Sequence, residues 1–323
     1  MVEGARLESV YTVKGIKGSN PFLSASYKQY MMSLGKKIKF IKIYYLNFLK
    51  NNFFNFYKFS IFTSGIFKFI KIFFNKKSTE KYSNNLDNIN NYEFRITSQN
   101  NEDGLIKFIF DTIDVNKINF IEIGFDFFEN NSLNIFKKSN KGLMIDGSFE
   151  KCFLLKYIIK IFYPFKNIKV INSLVYKENI NDLINTYFSN DEIDFLSIDV
   201  DGIDYYLLEK INIKPKLICI EYNHWFGSDQ SVAIPYDKNF IWNRDYYSGA
   251  SLLALTKLAK NKNYHLIATD SSCTNAFFIH NNYKHKFEIL DPIINFKKPI
   301  KYSKNDYLLA SEFLKNKEII DIS

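Results

Sequence analysis

Four short apolar runs in the middle of this chain each end on an acid, and between them lie stretches of helical period. The runs are Phe120-Ile121-Glu122-Ile123-Gly124-Phe125-Asp126, Gly142-Leu143-Met144-Ile145-Asp146-Gly147, Asp194-Phe195-Leu196-Ser197-Ile198-Asp199-Val200-Asp201-Gly202 and Leu217-Ile218-Cys219-Ile220-Glu221-Tyr222-Asn223-His224. Apolar runs of this length, rich in Ile and Phe, read as buried strands. The spacing predicts strands near 118–124, 142–146, 167–173, 193–199 and 216–222, with helices near 102–112, 148–162, 179–187, 203–211 and 248–262. Strands alternating with helices dictate an α/β fold with a doubly wound, mainly parallel sheet. Two further strands, 264–269 and 274–279, flank Asp270-Ser271-Ser272-Cys273 and are expected to pair like a hairpin, leaving a final antiparallel strand at the sheet edge. Tyr307 to Lys317 reads as a last helix.

In such a sheet the carboxyl ends of the strands share one edge, where ligands bind. An unpaired carboxylate is too costly to be a bare core residue, so the strand-end acids mark a site. Gly124 permits close backbone approach of a ligand, and Asp126 and Asn131 can contact its polar parts. The loop lacks the GxGxxG of a phosphate cradle, and a plain solvated loop is the alternative. Asp146, about 20 residues after that loop, suits ribose hydroxyls or the cap of the following helix. Asp199 and Asp201 wall the site, or one of them caps the next helix. Glu221 and Asn223 share a face with Cys219 if their strand persists. His224 is the histidine expected nearest the chemistry, with a structural role the equal alternative, whereas His265, His280 and His285 suit structural or solvated roles.

The net charge of +9 is unevenly placed. Residues 1–79 hold Arg6 and thirteen lysines against Glu3 and Glu8, while the remainder is net −3. A basic nucleic-acid-binding face on the body is therefore not expected. Residues 1–26 resemble the conceptual translation of a transfer-RNA gene, notably Gly18-Ser19-Asn20-Pro21, so 1–30 are expected to be a non-native leader with the true start at Met31 or Met32, an ordinary flexible terminus being the alternative. From Lys36 to Lys77 there is no acid. On a continuous helix Lys36, Lys39, Lys42, Lys50, Lys68 and Lys71 fall in one arc of about 120°, with Ile38, Tyr45, Phe59 and Phe73 outside it, as are Lys37, Lys58, Lys76 and Lys77. The segment 31–79 is thus a basic, Phe-rich helical stretch, suited to peripheral contact with an anionic membrane through 36–77 or to packing on the body with its lysines in water. Lysines recur too often for a transmembrane span. Residues 80–97 read as a polar linker before a domain over 98–323. Cys152, Cys219 and Cys273 lack metal-ligand spacing and suit reduced core thiols of a cytoplasmic protein, which the basic segment could hold at the inner face of the membrane.

Several pieces carry a resemblance in register: Ser98-Gln99-Asn100-Asn101-Glu102-Asp103-Gly104, Glu122-Ile123-Gly124, Met144-Ile145-Asp146-Gly147-Ser148, Ser197-Ile198-Asp199-Val200-Asp201-Gly202 and Asn275-Ala276-Phe277-Phe278. Ile220-Glu221-Tyr222-Asn223 and Pro235-Tyr236-Asp237 join them in order. Over about residues 97–280 the chain resembles the FkbM-like class I methyltransferases. The resemblance implies a Rossmann-like fold and S-adenosylmethionine as cofactor. It places Gly124 near the methionine part, Asp146 on the ribose, and Glu122, Asp126, Asn131 and Asp199 around them. It also implies methyl transfer to an oxygen of a sugar, glycan or lipid-linked small-molecule acceptor. Phe125, Phe127 and Phe128 stand where typical members have a glycine-rich loop.

Methyl transfer to a hydroxyl needs in-line placement and a way to remove the hydroxyl proton. Asp199 and Asp201 could raise each other's pKa and supply a base, with His224 the other catalytic candidate. Alternatively Asp199, Asp201, Glu221 and Asn223 form an oxygen-ligand set for Mg²⁺. Two rival readings remain. Asp199-Val200-Asp201 has the DxD form of a metal-dependent glycosyltransferase, and a cofactor-free binding protein could have kept the fold.

Overall fold

The computed structural model describes residues 88–126 and 129–323. The expected leader 1–30 and the expected basic helical segment 31–79, with the loop residues Phe127 and Phe128, lie outside the described residues. Among those described, no helix is long and apolar enough to cross a membrane.

A seven-stranded sheet organises the domain. Its strands are β1 (Ile118–Ile123), β2 (Ser139–Asp146), β3 (Asn167–Asn172), β4 (Phe195–Ile198), β5 (Leu217–Glu221), β7 (Tyr264–Thr269) and β8 (Asn275–His280), in the order β3-β2-β1-β4-β5-β8-β7. Strands β1 to β5 pair in parallel, and β8 runs antiparallel to both of its neighbours. The hairpin-like pairing of the last two sheet strands is as the sequence predicts, but its placement is not. The antiparallel strand is inserted between β5 and β7 and does not form the edge. Its composition explains this: Ala276, Phe277, Phe278 and Ile279 are all buried, so both faces of β8 are apolar and need covering, as for an internal strand. A short ladder, β6 (Val232–Ala233) with β9 (Ile320–Asp321), stands apart.

Side chains alternate across the sheet with period two. Ile121, Ile123, Leu196, Ile198, Ile218 and Ile220 face one layer, built with α3 (Ile180–Asn185), α4 (Asp204–Lys210) and α5 (Leu252–Asn261). Phe120, Met144, Phe195, Leu217, Cys219 and Phe277 face the other, built with α1 (Glu102–Thr112) and α2 (Phe149–Phe162). Helices on both faces make the sheet doubly wound, in the Rossmann-like manner. The three cysteines are buried and free.

Local chemistry sets the helix starts. Ser148 caps α2 by accepting from Lys151 N, and Ser251 caps α5 by accepting from Ala254 N. Because Ser251 is that cap, α5 begins four residues later than its apolar pattern suggests. The last helix, α6 (Lys304–Leu314), begins three residues earlier than expected, where Ser303 and Asp306 form a capping box. Part of the expected linker is folded: Ile89–Tyr92 forms a 3-10 turn, and Asn90 Nδ2 donates to Thr269 O at 2.7 Å. Asp103 then ties down the approach to α1, its Oδ2 accepting from the amides of Ile96, Thr97 and Ser98.

Candidate functional site

Strand order reverses between β1 and β4, since the chain winds outward in both directions from there. That switch point opens a crevice at the carboxyl ends of the strands. Gly124 and Asp199 meet across it. Gly124 has φ of 75°, and a Cβ there would collide with the carbonyl oxygen of Asp199. The floor of the crevice is therefore bare peptide, reachable by a ligand only because residue 124 is glycine. Above it lies a cleft of about 440 Å³.

Asp146, Glu122 and Asn131 shape the loop beside that floor. Asp146 Oδ2 accepts from Phe125 N at 3.2 Å and Oδ1 from Ser148 N at 2.6 Å. It thus joins the loops after β1 and β2, while the helix cap falls to Ser148. Lys151 Nζ stands 3.8 Å from Asp146 Oδ2. Glu122, buried, accepts from Asn131 N at 2.8 Å and Ser132 N at 3.0 Å. Burial pushes its carboxyl up to about 7, against the pull of those amides. Asn131 donates to Ser197 Oγ at 3.0 Å, bracing β4 against the same loop. Asp126 lines the cleft at its exposed side.

The loop after β4 carries Asp199 and Asp201, and neither acid caps α4. Asp204 holds this loop instead, accepting from Val200 N and Gly202 N, each at 2.9 Å. That clamp sets Asp201 at φ of 58°, a left-handed conformation that Asp tolerates better than most residues. Burial pushes the Asp199 carboxyl up to about 8, helped by the charges of Asp204, Asp201, Glu122 and Glu102. Burial also raises Asp201, while Lys151 and Arg244 oppose the rise. Glu221 is raised well above the usual carboxylate range by burial and by Asp199, Asp204 and Asp201. One oxygen from each of Asp199, Asp201 and Glu221 lies within 4.8 Å of the other two.

Two expected site residues lie elsewhere. Strand β5 ends at Glu221, so the alternation that would have aligned Asn223 with it is lost. Asn223 is used up by loops, donating to Tyr246 O at 2.9 Å and Ser248 O at 2.8 Å and accepting from Trp225 N. It is not a member of the acidic cluster. His224 stacks among Trp225, Tyr302 and Tyr307, with Nδ1 3.0 Å from the Tyr307 hydroxyl. Burial, with Lys301 nearby, lowers its pKa to about 4. It does not line the cleft, so the expected catalytic role is withdrawn.

Four residues that sequence reasoning passed over line or support the cleft. Glu102 and Asn275 lie in its buried wall, joined by Asn275 Nδ2 donating to Glu102 Oε1 at 2.8 Å. Phe240 roofs Gly202, where any Cβ would strike its ring. Asp204 had one signal, an acid at the first helical position after Asp199-Val200-Asp201-Gly202-Ile203.

No protein-family model matches this chain, and no curated protein does. Among solved structures it is similar to an S-adenosylmethionine-dependent methyltransferase from Clostridium acetobutylicum, at 10% identity and TM-score 0.36, over 55% of this chain and 90% of that one. It is also similar to magnesium protoporphyrin IX methyltransferase from Synechocystis with bound SAH, at 8% identity and TM-score 0.39, over 67% and 94%. A third is the N-terminal domain of EvdMO1 with bound SAH, at 8% identity and TM-score 0.37, over 57% and 80%. Likenesses this faint carry no functional argument.

Proposed function

We propose that this chain is an S-adenosylmethionine-dependent methyltransferase of the FkbM-like kind, acting on a hydroxyl of a sugar, glycan or lipid-linked small-molecule acceptor. One observation carries the reading: the bare peptide floor at Gly124 and Asp199 lies at the switch point of the sheet, in a cleft whose charged lining is mainly carboxylate. Glu102, Glu122, Asp126, Asp146, Asp199 and Asp201 are among its lining, against Lys151 and Lys238. Such a surface is complementary to a ligand carrying a sulfonium and an ammonium. A bound S-adenosylmethionine would supply an electrophilic methyl group.

The chain's own residues then divide the work. Asp146 stands at the end of β2, where its carboxylate can accept from ribose hydroxyls while still holding Phe125 N. Glu122 and Asn131 keep the β1 loop rigid, and Gly124 lets the ligand reach the peptide plane. Phe240, which roofs Gly202, and Asp237 border the cleft and fit the acceptor side. Activation of the acceptor hydroxyl falls to Asp201, the exposed member of the acidic cluster.

Calorimetry with S-adenosylmethionine and S-adenosylhomocysteine tests the reading. Binding of both is expected, with loss of both in Gly124→Val, whose side chain would fill the crevice floor. Absence of binding by the wild-type chain removes the proposal. Nucleotide sugars with Mn²⁺ are expected to leave the melting temperature unchanged; a clear rise would favour the DxD glycosyltransferase.

A further inference from the structure

Two loops that line the cleft also touch each other at its solvent side. The first, residues 173–179, joins β3 to α3, and its Leu174, Val175 and Tyr176 line the cleft. The second follows β6, and its Asp237, Lys238 and Phe240 line the cleft as well. Strand β3 lies on one side of the switch point, and the loop after β4, which Phe240 covers, lies on the other. Each loop rests on a glycine. Leu174 lies against Gly147, where an added Cβ would strike its Cδ2, as Phe240 lies against Gly202.

Side chains fasten the two loops together. The Tyr236 hydroxyl donates to Glu178 Oε2 at 2.6 Å, and Lys177 Nζ stands 4.0 Å from the centre of the same ring. That hydroxyl, with Lys177 and Lys238 nearby, holds the Glu178 carboxyl below its ordinary range. The bond is exposed, and exposed polar contacts are weak enough to break and re-form. The loops differ in footing. The Tyr236 ring packs on Tyr206 of α4 at 5.2 Å, and the Tyr206 hydroxyl donates to Ile234 O at 2.7 Å, which pins the second loop. The first loop closes on itself: Asn179 Oδ1 accepts from Tyr176 N at 2.7 Å, and its Nδ2 donates to Leu174 O at 3.0 Å. Residues 174–179 are thus a unit able to swing about its ends. Leu174 is largely exposed, and half-buried Val175 rests on the rim of the core, so lifting the unit uncovers little apolar surface.

We propose that residues 174–179 are a lid over the cleft, latched to Tyr236 by Glu178 and Lys177, and that ligand passes when the latch opens. Such a device suits a site that shuts out water during group transfer and must then release its spent cofactor. That use rests on the methyltransferase reading; the fastening of the two loops does not.

Hydrogen exchange and stopped-flow binding of S-adenosylhomocysteine, both on the full chain, test the lid. Tyr236→Phe removes the hydroxyl and keeps the ring, while Glu178→Ala removes the acceptor. In both variants the amides of 174–179 should exchange faster than in the wild type, with those of β2 unchanged. S-adenosylhomocysteine should dissociate about threefold faster or more. Tyr187→Phe, which removes an exposed hydroxyl bonded to Asn167 O outside the cleft lining, should alter neither. Thermal melts confirm that each variant folds. Lid exchange unchanged in both variants overturns the latch, even if dissociation quickens, because Tyr236 would then be a plain ligand contact. Faster exchange with unaltered dissociation overturns the gate. If the wild type binds no S-adenosylhomocysteine, the methyltransferase reading fails, and the latch stands or falls on exchange alone.

Discussion

His224 illustrates how a residue's neighbours decide its chemistry. Half-buried among Trp225, Tyr302 and Tyr307, it is held neutral, with a folded pKa of about 4 against the usual 6.5. The unfolded chain therefore binds the extra proton first, and stability falls as pH drops from about 6.5 toward 4. The span corresponds to a loss on the order of 3 kcal/mol. Raised acids such as Glu122 and Asp199 act in the opposite sense over the same range. The His224 part is therefore read as the difference in chemical denaturation between wild type and His224→Phe from pH 7 to 4; identical pH dependence in the two would place the titration elsewhere. The sequence made Gly124, Asp146, Asp199 and Glu221 legible because strand-end position alone brings them together. It could not tell that β5 stops at Glu221, and that one missing residue of strand turns Asn223 and His224 away from the site. Asn275 stood in plain view in Asn275-Ala276-Phe277-Phe278, but its partner across the sheet depends on β8 lying beside β5. No local pattern encodes that adjacency.

At the scale of elements, short segments here are positioned by single carboxylates gripping backbone amides. Asp103 holds residues 96–98, Glu122 holds 131–132, and Asp204 holds the β4–α4 loop. Asp204→Ala should leave the amides of Val200 and Gly202 unsatisfied, costing about 1–3 kcal/mol. Faster hydrogen exchange at those two amides, with α5 and β2 unaffected, is the expected signature; uniform exchange would mean the loop does not depend on the clamp. The α6 capping box predicts a smaller effect: Ser303→Ala should cost about 1 kcal/mol, read as a lowered melting temperature. The strands and most helices were legible because burial and period agree. The ends of α5 and α6 were not, since a serine cap overrides the apolar pattern on either side of it.

Across the whole molecule, charge is partitioned between a lysine-rich beginning and a slightly acidic remainder. If the 36–77 segment contacts anionic lipid, as its sequence suggests, the full chain should float with phosphatidylserine vesicles at low salt. It should detach as ionic strength rises past the range where exposed charges are screened. Vesicles of neutral lipid should not carry it, and no flotation at low salt would end that reading. The order of the sheet has a further consequence, for the time course of assembly. Strand β8 is made after β7, yet it must lie between β7 and β5. Until residue 280 has left the ribosome, β5 keeps an unpaired edge, which is an invitation to pair with another chain. The strand that seals this edge also delivers Asn275. The cleft wall where Asn275 meets Glu102 should therefore be completed late in refolding, together with closure of the sheet, and its appearance would serve as a clock for the last step.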